Sequence, residues 1–372
     1  MNVKVLVTGT DGISNKPGYS VIKSLSEVEN GHLRLVAVDY NPFSGGFYCK
    51  YVSAHYVCPP PTIGNNGTGM TSFTWSRENP RYVSCLMDIV RHEKPDVIIP
   101  TLSMEIPTFS RHKSQFRALG ASIEVPDEDK VAIANDKMLV FSFMNDLLIC
   151  QPDTHAIRSA KELQLRLRKV KLPAVVKSRR HGACVVRTVN EAKFAYRLFS
   201  ELWGEAPLLQ EYVEGTTYCV ASVSSRGSVT AAVAMRKLAR DPQGAATAAA
   251  TVNAPRLIEM NSQISRALDW SGGMETEWIL GRDKEFRLLE INSRFPCWVY
   301  LTARSGLNLP WILVRQTLGY HDKQGSYRSG VAFVRNVLDI PLGVEKLITR
   351  RAPTIDADNL VPRFAFAPWT GK

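Results

Sequence analysis

The first third of the chain alternates short apolar runs with amphipathic segments. Residues 3–7, 33–38 and 95–100 are apolar runs of the length expected for buried strands. A glycine-containing turn, TGTDGIS, joins the first run to residues 19–25, whose pattern predicts the start of a helix. This order is typical of parallel α/β domains, and we expect the first ~120 residues to form one. Residues 53–79, rich in Gly, Pro, Thr and Asn, are predicted to form a long irregular loop.

Helix and strand patterns alternate through the middle of the chain. Helices are predicted over residues 127–144 and 190–202, the second of them capped by Asn190. Strands are predicted over residues 172–177, 184–188, 208–213 and 218–224. Residues 235–253 hold an Ala- and Thr-rich run that suits either a mobile loop or a strand of small residues. An apolar helix is predicted over residues 307–318.

Residues 272–296, GGMETEWILGRDKEFRLLEINSRFP, have the alternation of a β-hairpin. With a two-residue turn at 283–284, Glu277 lies directly across from Glu290, and Leu288 shares a face with Glu290. Facing carboxylates on neighbouring strands repel each other, and a cation between them would remove the repulsion. The alternative, a solvated face of an amphipathic hairpin, stays open on this pattern alone.

The oxygen ligands of this hairpin suit a hard cation. Glu277, Glu290 and the side-chain amide of Asn292 would together offer Mg²⁺ or Mn²⁺ the ligands that it prefers. Arg294, two residues further on, adds a fixed cation suited to a phosphate that the metal also touches. The hairpin therefore predicts a site for a metal and a nucleotide.

A basic loop lies between two of the predicted strands. Lys177 ends the first strand and is followed by SRRHGA, which contains a single glycine. Basic side chains and backbone N–H groups in such a loop can close over phosphate oxygens. An ordinary basic hairpin explains the same residues equally well.

Composition narrows the class of protein. A chain of 372 residues exceeds what one core usually organises, so about two or three domains are expected. No apolar run reaches the ~20 residues that span a bilayer, and the N-terminus lacks the features of a secretory signal. We therefore expect a cytoplasmic protein without a membrane partner.

Cysteine spacing and net charge limit the kinds of ligand and partner that are expected. The seven cysteines are scattered singly, without the spacing of zinc ligands. A net charge of +11 suits anionic substrates, and because nothing resembles a nucleic-acid-binding module, no nucleic acid is expected.

Taken in order, these motifs resemble the ATP-grasp superfamily of ligases, nearest to the branch of carbamoyl-phosphate synthases and biotin carboxylases. The resemblance covers roughly residues 1–320. The paired acids with LLEINSRF resemble the E-x-N-x-R metal and phosphate motif of the family. The Lys137 helix and the PAVVK strand resemble its two phosphate-binding lysines. QEYVEG is similar to the segment that joins its two ATP-grasping halves.

The resemblance implies a fold that combines α/β and α+β parts. An N-terminal parallel α/β (pre-ATP-grasp) domain would occupy residues 1–123. An ATP-grasp fold of two α+β subdomains would occupy residues 124–325, with a small lid at about 150–210 and a metal and nucleotide core at 211–325. Residues 326–372 would complete that core.

The resemblance also implies roles for single residues. Glu277, Glu290 and Asn292 would bind Mg²⁺ or Mn²⁺, and Arg294 and Lys177 would act on the transferred phosphate. The ATP-binding residues would be Lys137, Lys177, Arg179, His181, Gly182, Gln210, Glu211 and Val213. The chain departs from the family in its glycine-poor lid loop, and in carrying Gly-Thr-Thr at 215–217 where a ribose-binding Glu is common.

Family chemistry would make the protein an ATP-dependent carboxylate–amine ligase. A carboxylate attacks the γ-phosphate of ATP, and an amine then displaces phosphate from the acyl phosphate to leave an amide, with release of ADP. A small amino acid or peptide is the expected substrate, with Glu105, Arg236 and Arg304 as candidate binding residues and a homodimer as a candidate assembly. Two alternatives stay open: a bicarbonate-phosphorylating enzyme of carbamoyl-phosphate-synthase type, and a non-catalytic nucleotide-binding protein.

Overall fold

Three β-sheets organise the chain in this computed structural model. The residues that it describes are 3–11, 17–28, 33–63, 77–180, 182–241, 244–320, 325–335, 353–355 and 362–364. Within these ranges the sheets have seven, six and four strands. In the same ranges, no helix is both long enough and apolar enough to cross a bilayer.

The seven-stranded sheet is built mainly from the N-terminal part of the chain. Its first five strands are β1 (Val3–Thr8), β2 (Leu33–Asp39), β3 (Val52–Val57), β4 (Val97–Ile99) and β5 (Ser122–Ile123). They are parallel, in the order β3-β2-β1-β4-β5. The helices that accompany them are α1 (Gly18–Leu25), α2 (Pro80–Glu93) and α3 (Ile106–Ala118). Strands covered on both faces must be apolar throughout, which explains the continuous runs in β1, β2 and β4.

The prediction of an irregular loop over residues 53–79 is wrong at its start, and residues 64–76 of that range lie outside the described residues. Residues 52–57 form β3, which pairs with β2 in parallel. Ser53 and His55 make the sequence VSAHYV too polar to resemble a buried strand, but β3 lies nearer the edge of the sheet and is only partly buried.

Two helices replace the single one predicted over residues 127–144. They are α4 (Glu128–Ala134) and α5 (Lys137–Asp146). Asp136 separates them, because its side chain accepts hydrogen bonds from the backbone N–H groups of Met138 and Leu139 and so caps α5. The break places Lys137 at the first turn of α5 rather than in mid-helix.

The four-stranded sheet contains the basic loop. Its strands are β6 (Thr154–Ala156), β7 (Ala174–Lys177), β8 (Ala183–Val186) and β9 (Leu208–Glu211), in the order β6-β9-β7-β8. Its helices are α6 (Ala160–Leu167) and α7 (Val189–Trp203). The cap of α7 is Thr188, whose side chain accepts from the N–H of Glu191, so the prediction of Asn190 as the cap is wrong.

The six-stranded sheet forms the centre of the molecule. Its long strands are β10 (Gly215–Ser225), β11 (Ser228–Arg240), β12 (Ala246–Thr251), β13 (Gly272–Gly281) and β14 (Phe286–Asn292). Three helices, α8 (Pro255–Ala267), α9 (Tyr300–Arg304) and α10 (Leu309–Thr317), accompany them. The run of small residues at 246–251 is therefore a strand rather than a loop.

The C-terminal residues add strands to two sheets. β15 (Ala332–Val334) pairs with β12 and completes the six-stranded sheet. β16 (Pro353–Ile355) pairs with β3, and β17 (Pro362–Phe364) pairs with β16 at the edge of the N-terminal sheet. The described part of residues 326–372 thus contacts both sheets.

One face of the central sheet packs on α8 and α5. Trp270, Trp278 and Leu288 are buried in this core together with Ile264. Met274, Thr276 and Trp278 of β13 are buried on this face, so the alternation of the strand directs Glu275 and Glu277 to the opposite face.

The hairpin begins at a glycine that no other residue can easily replace. Gly272 has a φ of 96°, and an added Cβ would collide with the carbonyl oxygen of Glu124. We expect Gly272→Ala to lower the free energy of unfolding by at least about 2 kcal/mol, because the collision adds to the backbone strain. Denaturant unfolding measures the change.

The control for this variant is Gly319→Ala. Gly319 has a φ of 83°, but no atom lies within 4 Å of an added Cβ, so only the backbone term of about 1 kcal/mol should appear. Equal losses in the two variants would contradict the role of the Glu124 contact.

Candidate active site

The predicted pair of facing carboxylates is confirmed. Glu277 on β13 is the register partner of Glu290 on β14, and Glu275 is the partner of Asn292. The connection is longer than the predicted two-residue turn, because β13 ends at Gly281 and β14 begins at Phe286. A bulge at Leu289 compensates for the longer turn.

The same bulge changes the face of Leu288. It pairs with Trp278 and is buried in the core on the α8 side, so the prediction that Leu288 shares a face with Glu290 is wrong. The acids are thereby separated from the apolar core below them.

Two lysines neutralise the two acids. Lys237 Nζ lies 2.7 Å from Glu277 Oε1, and Lys137 Nζ lies 3.3 Å from Glu290 Oε2. Only 5% of the Lys237 side chain and 14% of the Lys137 side chain are exposed. The side chains of Glu277 and Glu290 are themselves 19% and 33% exposed, so this hairpin face is not the fully solvated one that the sequence left open.

Sequence reasoning did not single out Lys237 as a site residue. The signal lies in the pairing of three strands: Cys219 is the register partner of both Met235 and Glu277. Lys237 follows Met235 by two positions and so shares the face of Glu277. Without the order of the strands, it could not be distinguished from Arg236 beside it.

The two acids respond differently to their surroundings. Burial raises the pKa of Glu277, and the offset by Lys237 is smaller than the combined effects of burial, Glu290 and Glu275. Burial also favours neutral Glu290, but Lys137, Lys177 and Lys237 outweigh it and lower the pKa of that carboxyl. The cations beside Glu290 therefore keep it ionised, whereas Glu277 takes up a proton more readily than a free glutamate.

Lys177 is buried at the end of β7, with 4% of the residue exposed. It has no ion-pair or hydrogen-bonding partner for its ammonium among the described residues. Burial, and then the charge of Lys137, lower the pKa of Lys177 to about 7. An anionic oxygen next to this ammonium would restore its positive charge.

The basic loop is docked on the first turn of α5. The backbone N–H of Lys137 donates to Arg179 O at 2.8 Å, and Lys137 Nζ donates to Arg180 O. Arg179 pairs with Asp136 at 2.5 Å, and Gly182, at a φ of 93°, accepts from the N–H of Ser178. His181 lies outside the described residues. The loop therefore contacts the residue that also holds Glu290.

The predicted base-pocket residues lie at the end of β9. Gln210 is buried and donates from Nε2 to Thr154 Oγ1 at 2.7 Å. Glu211 is exposed, and its side chain accepts from the N–H of Asp153 at 3.3 Å. Val213 is half-buried and lies in the connection from β9 to β10.

The three candidate substrate residues lie outside the carboxylate cluster. Glu105 is fully buried in the N-terminal domain and accepts hydrogen bonds from Thr8, Tyr82, Thr101 and Leu102. Arg236 is exposed on the face of the sheet opposite Glu277. Arg304 pairs with Glu27 at 2.8 Å.

Oxygen ligands suitable for a divalent cation are present. In the described ranges, no group of three or more His, Cys, Asp or Glu side chains is placed to hold a metal ion. The predicted set of two carboxylates and one amide is smaller than such a group, and Mg²⁺ commonly completes its shell with water and substrate phosphates. The facing acids, half-buried and each paired with an ammonium group, fit a hard cation.

Comparisons with known proteins identify the fold. Residues 204–339 match the family described as ATP-grasp in the biosynthetic pathway with Ter operon. The chain is similar to the biotin carboxylase of Campylobacter jejuni, solved as a β-γ-ATP complex, with a TM-score of 0.65, 13% identity, and coverage of 85% of this chain and 71% of that chain. The chain has an ATP-grasp fold.

Two further solved structures are similar to this chain. One is the biotin carboxylase domain of Hydrogenobacter thermophilus 2-oxoglutarate carboxylase, in complex with MgADP, ADP and bicarbonate. Its TM-score is 0.63, with 15% identity and coverage of 86% of this chain and 70% of that chain. The other is the L-amino acid ligase of Bacillus licheniformis, with a TM-score of 0.59, 14% identity, and coverage of 85% and 74%.

The comparisons confirm the predicted resemblance to the ATP-grasp superfamily and the predicted fold class. The parallel N-terminal sheet and the antiparallel sheets that follow it match this fold. A comparison with curated proteins finds no match.

The burial of Lys177 predicts that the protein takes up protons when it binds ADP. At pH 8 the free protein should hold Lys177 largely neutral, and ADP phosphates should restore its charge, so binding should take up as much as about one proton. Affinity should then fall as the pH rises above 7. Titration calorimetry of Mg²⁺ and ADP in two buffers with different ionisation heats measures the uptake.

Lys177→Met supplies the comparison for this measurement. The variant should bind ADP more weakly and without that proton uptake, while Lys161→Met, at an exposed position of α6, should behave as the wild type. Equal uptake in the wild type and in Lys177→Met would contradict the assignment.

Proposed function

We propose that the protein is an ATP-dependent carboxylate–amine ligase that uses Mg²⁺ or Mn²⁺ and releases ADP and phosphate. The observation that carries this proposal is the half-buried, facing pair Glu277 and Glu290, with lysines from two other elements directed at it. The proposed substrates are a small amino acid or peptide as the carboxylate and a small-molecule amine, in the cytoplasm.

The proposed nucleotide site lies between the four-stranded sheet and the central sheet. Lys137 and Lys177 would contact the phosphates, and Arg294 would face the transferred one. Backbone and side-chain groups of the basic loop, together with Gln210, Glu211 and Val213, would complete the ATP site. Support comes from the docking of the loop on Lys137, which joins the two sheets at this point.

Glu277, Glu290 and Asn292 would hold the divalent cation. When bound, it would neutralise charge on the phosphate oxygens during transfer. Lys137 and Lys237 now hold the two acids, so on metal binding their ammonium groups would become available to phosphate oxygens. The chain would thereby exchange internal ion pairs for contacts with its substrate.

The reaction proposed for this site has two steps. A substrate carboxylate oxygen attacks the γ-phosphorus of ATP, the bond to the bridging oxygen breaks, and ADP leaves. The amine then attacks the acyl carbon, loses a proton, and releases phosphate. Exclusion of water by the loop at 178–183 would protect the acyl phosphate from hydrolysis.

A bicarbonate-dependent reaction is the second candidate, favoured by the similarity to the domain that was solved with MgADP and bicarbonate. A non-catalytic nucleotide-binding protein is the third, suggested by the single glycine of the basic loop. One assay distinguishes the three.

The assay combines the full-length protein with MgATP and pooled amino acids, with or without bicarbonate and amines. ADP and phosphate release that needs an amino acid and an amine supports the ligase, and turnover with bicarbonate alone supports the second candidate. AMP and pyrophosphate as products would contradict both. Transfer of ¹⁸O from a labelled substrate carboxylate to phosphate tests the acyl phosphate.

Binding without turnover, unaffected by Arg294→Ala, would favour the non-catalytic protein. The control for that variant is Arg282→Ala, which removes an exposed arginine of the same hairpin that pairs with Glu214.

Substitution of a metal-binding acid should remove turnover and leave the fold intact. Glu290→Gln keeps the size of the side chain but removes its charge, so activity should fall at least about 100-fold while the unfolding temperature changes little. Product release and a thermal unfolding curve measure the two effects. Full activity of Glu290→Gln at low Mg²⁺ would refute the metal role.

A further inference from the structure

A third acid of the hairpin, Glu275, lies beside the proposed metal and phosphate residues. It is 7% exposed and is the register partner of Asn292 across the two strands. Its side chain shares the face of Glu277, two positions further along β13. Neither the sequence pattern nor the proposed reaction gives it a role.

Three donors converge on the Glu275 carboxylate. Trp298 Nε1 donates to Oε1 at 2.7 Å, Asn292 Nδ2 donates to Oε2 at 3.1 Å, and Arg294 Nη1 approaches Oε2 at 3.4 Å. Two of the three donors belong to residues proposed to touch the metal or the phosphate. Glu275 therefore connects both of them to a buried tryptophan, which is 5% exposed.

The contact with Glu275 fixes the direction of the Asn292 amide. Asn292 Nδ2 also donates to Glu290 Oε1 at 3.4 Å, so both neighbours of the nitrogen are carboxylate oxygens. A flipped amide would place its oxygen against these two carboxylates, and the repulsion excludes that orientation. The amide oxygen is thus the end that is left for a cation.

The same carboxylate restrains Arg294. Its contacts in the described part of the chain, with Glu275 and with Phe295 O at 3.1 Å, both use Nη1. The remaining N–H groups of the guanidinium stay available to an anionic oxygen. Trp298 in turn holds Glu275 from the other side, so the carboxylate cannot rotate away without breaking a buried hydrogen bond.

Charge balance explains why an acid suits this position. The cluster contains three cations besides Lys177, namely Lys137, Lys237 and Arg294, and without Glu275 only two acids would face them. A neutral amide at 275 would offer one acceptor oxygen in place of the two that now serve three donors. A glutamine would therefore leave at least one donor without its acceptor.

We propose that Glu275 is a positioning residue, which directs the Asn292 amide oxygen toward the divalent cation and holds Arg294 at the phosphate, with Trp298 as its anchor. The inference rests on the proposed function, because it assigns Asn292 to the metal and Arg294 to the phosphate. Residues that orient metal ligands typically change metal affinity about 10–100-fold when they are replaced.

The test measures how ADP binding to the full-length chain depends on Mg²⁺. Titration calorimetry of ADP at a series of Mg²⁺ concentrations gives the Mg²⁺ needed for half-maximal binding. Glu275→Gln should raise that concentration about tenfold or more. Trp298→Phe, which keeps an aromatic ring but removes the donor, should give a smaller rise in the same direction.

The matched control is Glu285→Gln, which makes the same chemical change in the same hairpin. Glu285 is exposed and pairs with Arg256, so its replacement should leave the Mg²⁺ requirement unchanged. Thermal unfolding of each variant separates a positioning role from a structural one, since a merely structural residue would lower stability without moving the Mg²⁺ requirement.

Two results would overturn the proposal. An unchanged Mg²⁺ requirement in Glu275→Gln would overturn the proposal while leaving the proposed function intact. If that variant does not fold, an unchanged Mg²⁺ requirement in Trp298→Phe would overturn the proposal instead. Absence of MgADP binding by the wild type would overturn the proposed function as well.

Discussion

The site depends on one electrostatic constraint: two carboxylates face each other across a hairpin and are partly removed from water. Glu277 and Glu290 would repel each other strongly if nothing lay between or beside them. Ammonium groups from two other elements offset this repulsion: Lys237 from β11 and Lys137 from α5. The protein's own ammonium groups therefore balance the two carboxylates. A metal ion bound to nucleotide phosphates would balance the same carboxylates.

This constraint links two of the three sheets. Lys137 contacts both Glu290 and the loop that joins β7 to β8, so it connects the central sheet to the four-stranded sheet. Lys177, at the end of β7, is buried nearby with its pKa lowered to about 7, first by burial and then by Lys137. A phosphate would relieve the crowding of positive charge, and we infer that nucleotide binding strengthens the contact between these two parts of the molecule.

The sequence predicted the hairpin because its alternation and its register are local properties. Glu277 and Glu290 were placed opposite each other correctly, although the turn is longer than predicted and the bulge at Leu289 restores the register. Bulge and turn compensate for each other, and both become visible only in the pairing of the two strands. The face of Leu288 depended on that bulge, which is why its prediction failed.

Features set by distant pairing could not be predicted in the same way. Lys237 joins the acids only because β11 and β13 both pair with β10, and β3 is a strand only because β2 lies beside it. The break between α4 and α5 had a local signal, Asp136 as a cap, that the apolar pattern concealed. Strand order and long-range contacts thus account for most of what the sequence did not disclose.

Electron paramagnetic resonance of Mn²⁺ tests the central claim most directly. With ADP carrying ¹⁷O in its β-phosphate, the complex with the wild type should show Mn²⁺ bound to protein and broadened by the labelled phosphate. The double variant Glu277→Gln, Glu290→Gln should lose the protein-bound signal. Equal Mn²⁺ binding in the two proteins, or no broadening in the wild type, would contradict a metal held between the facing acids and the nucleotide.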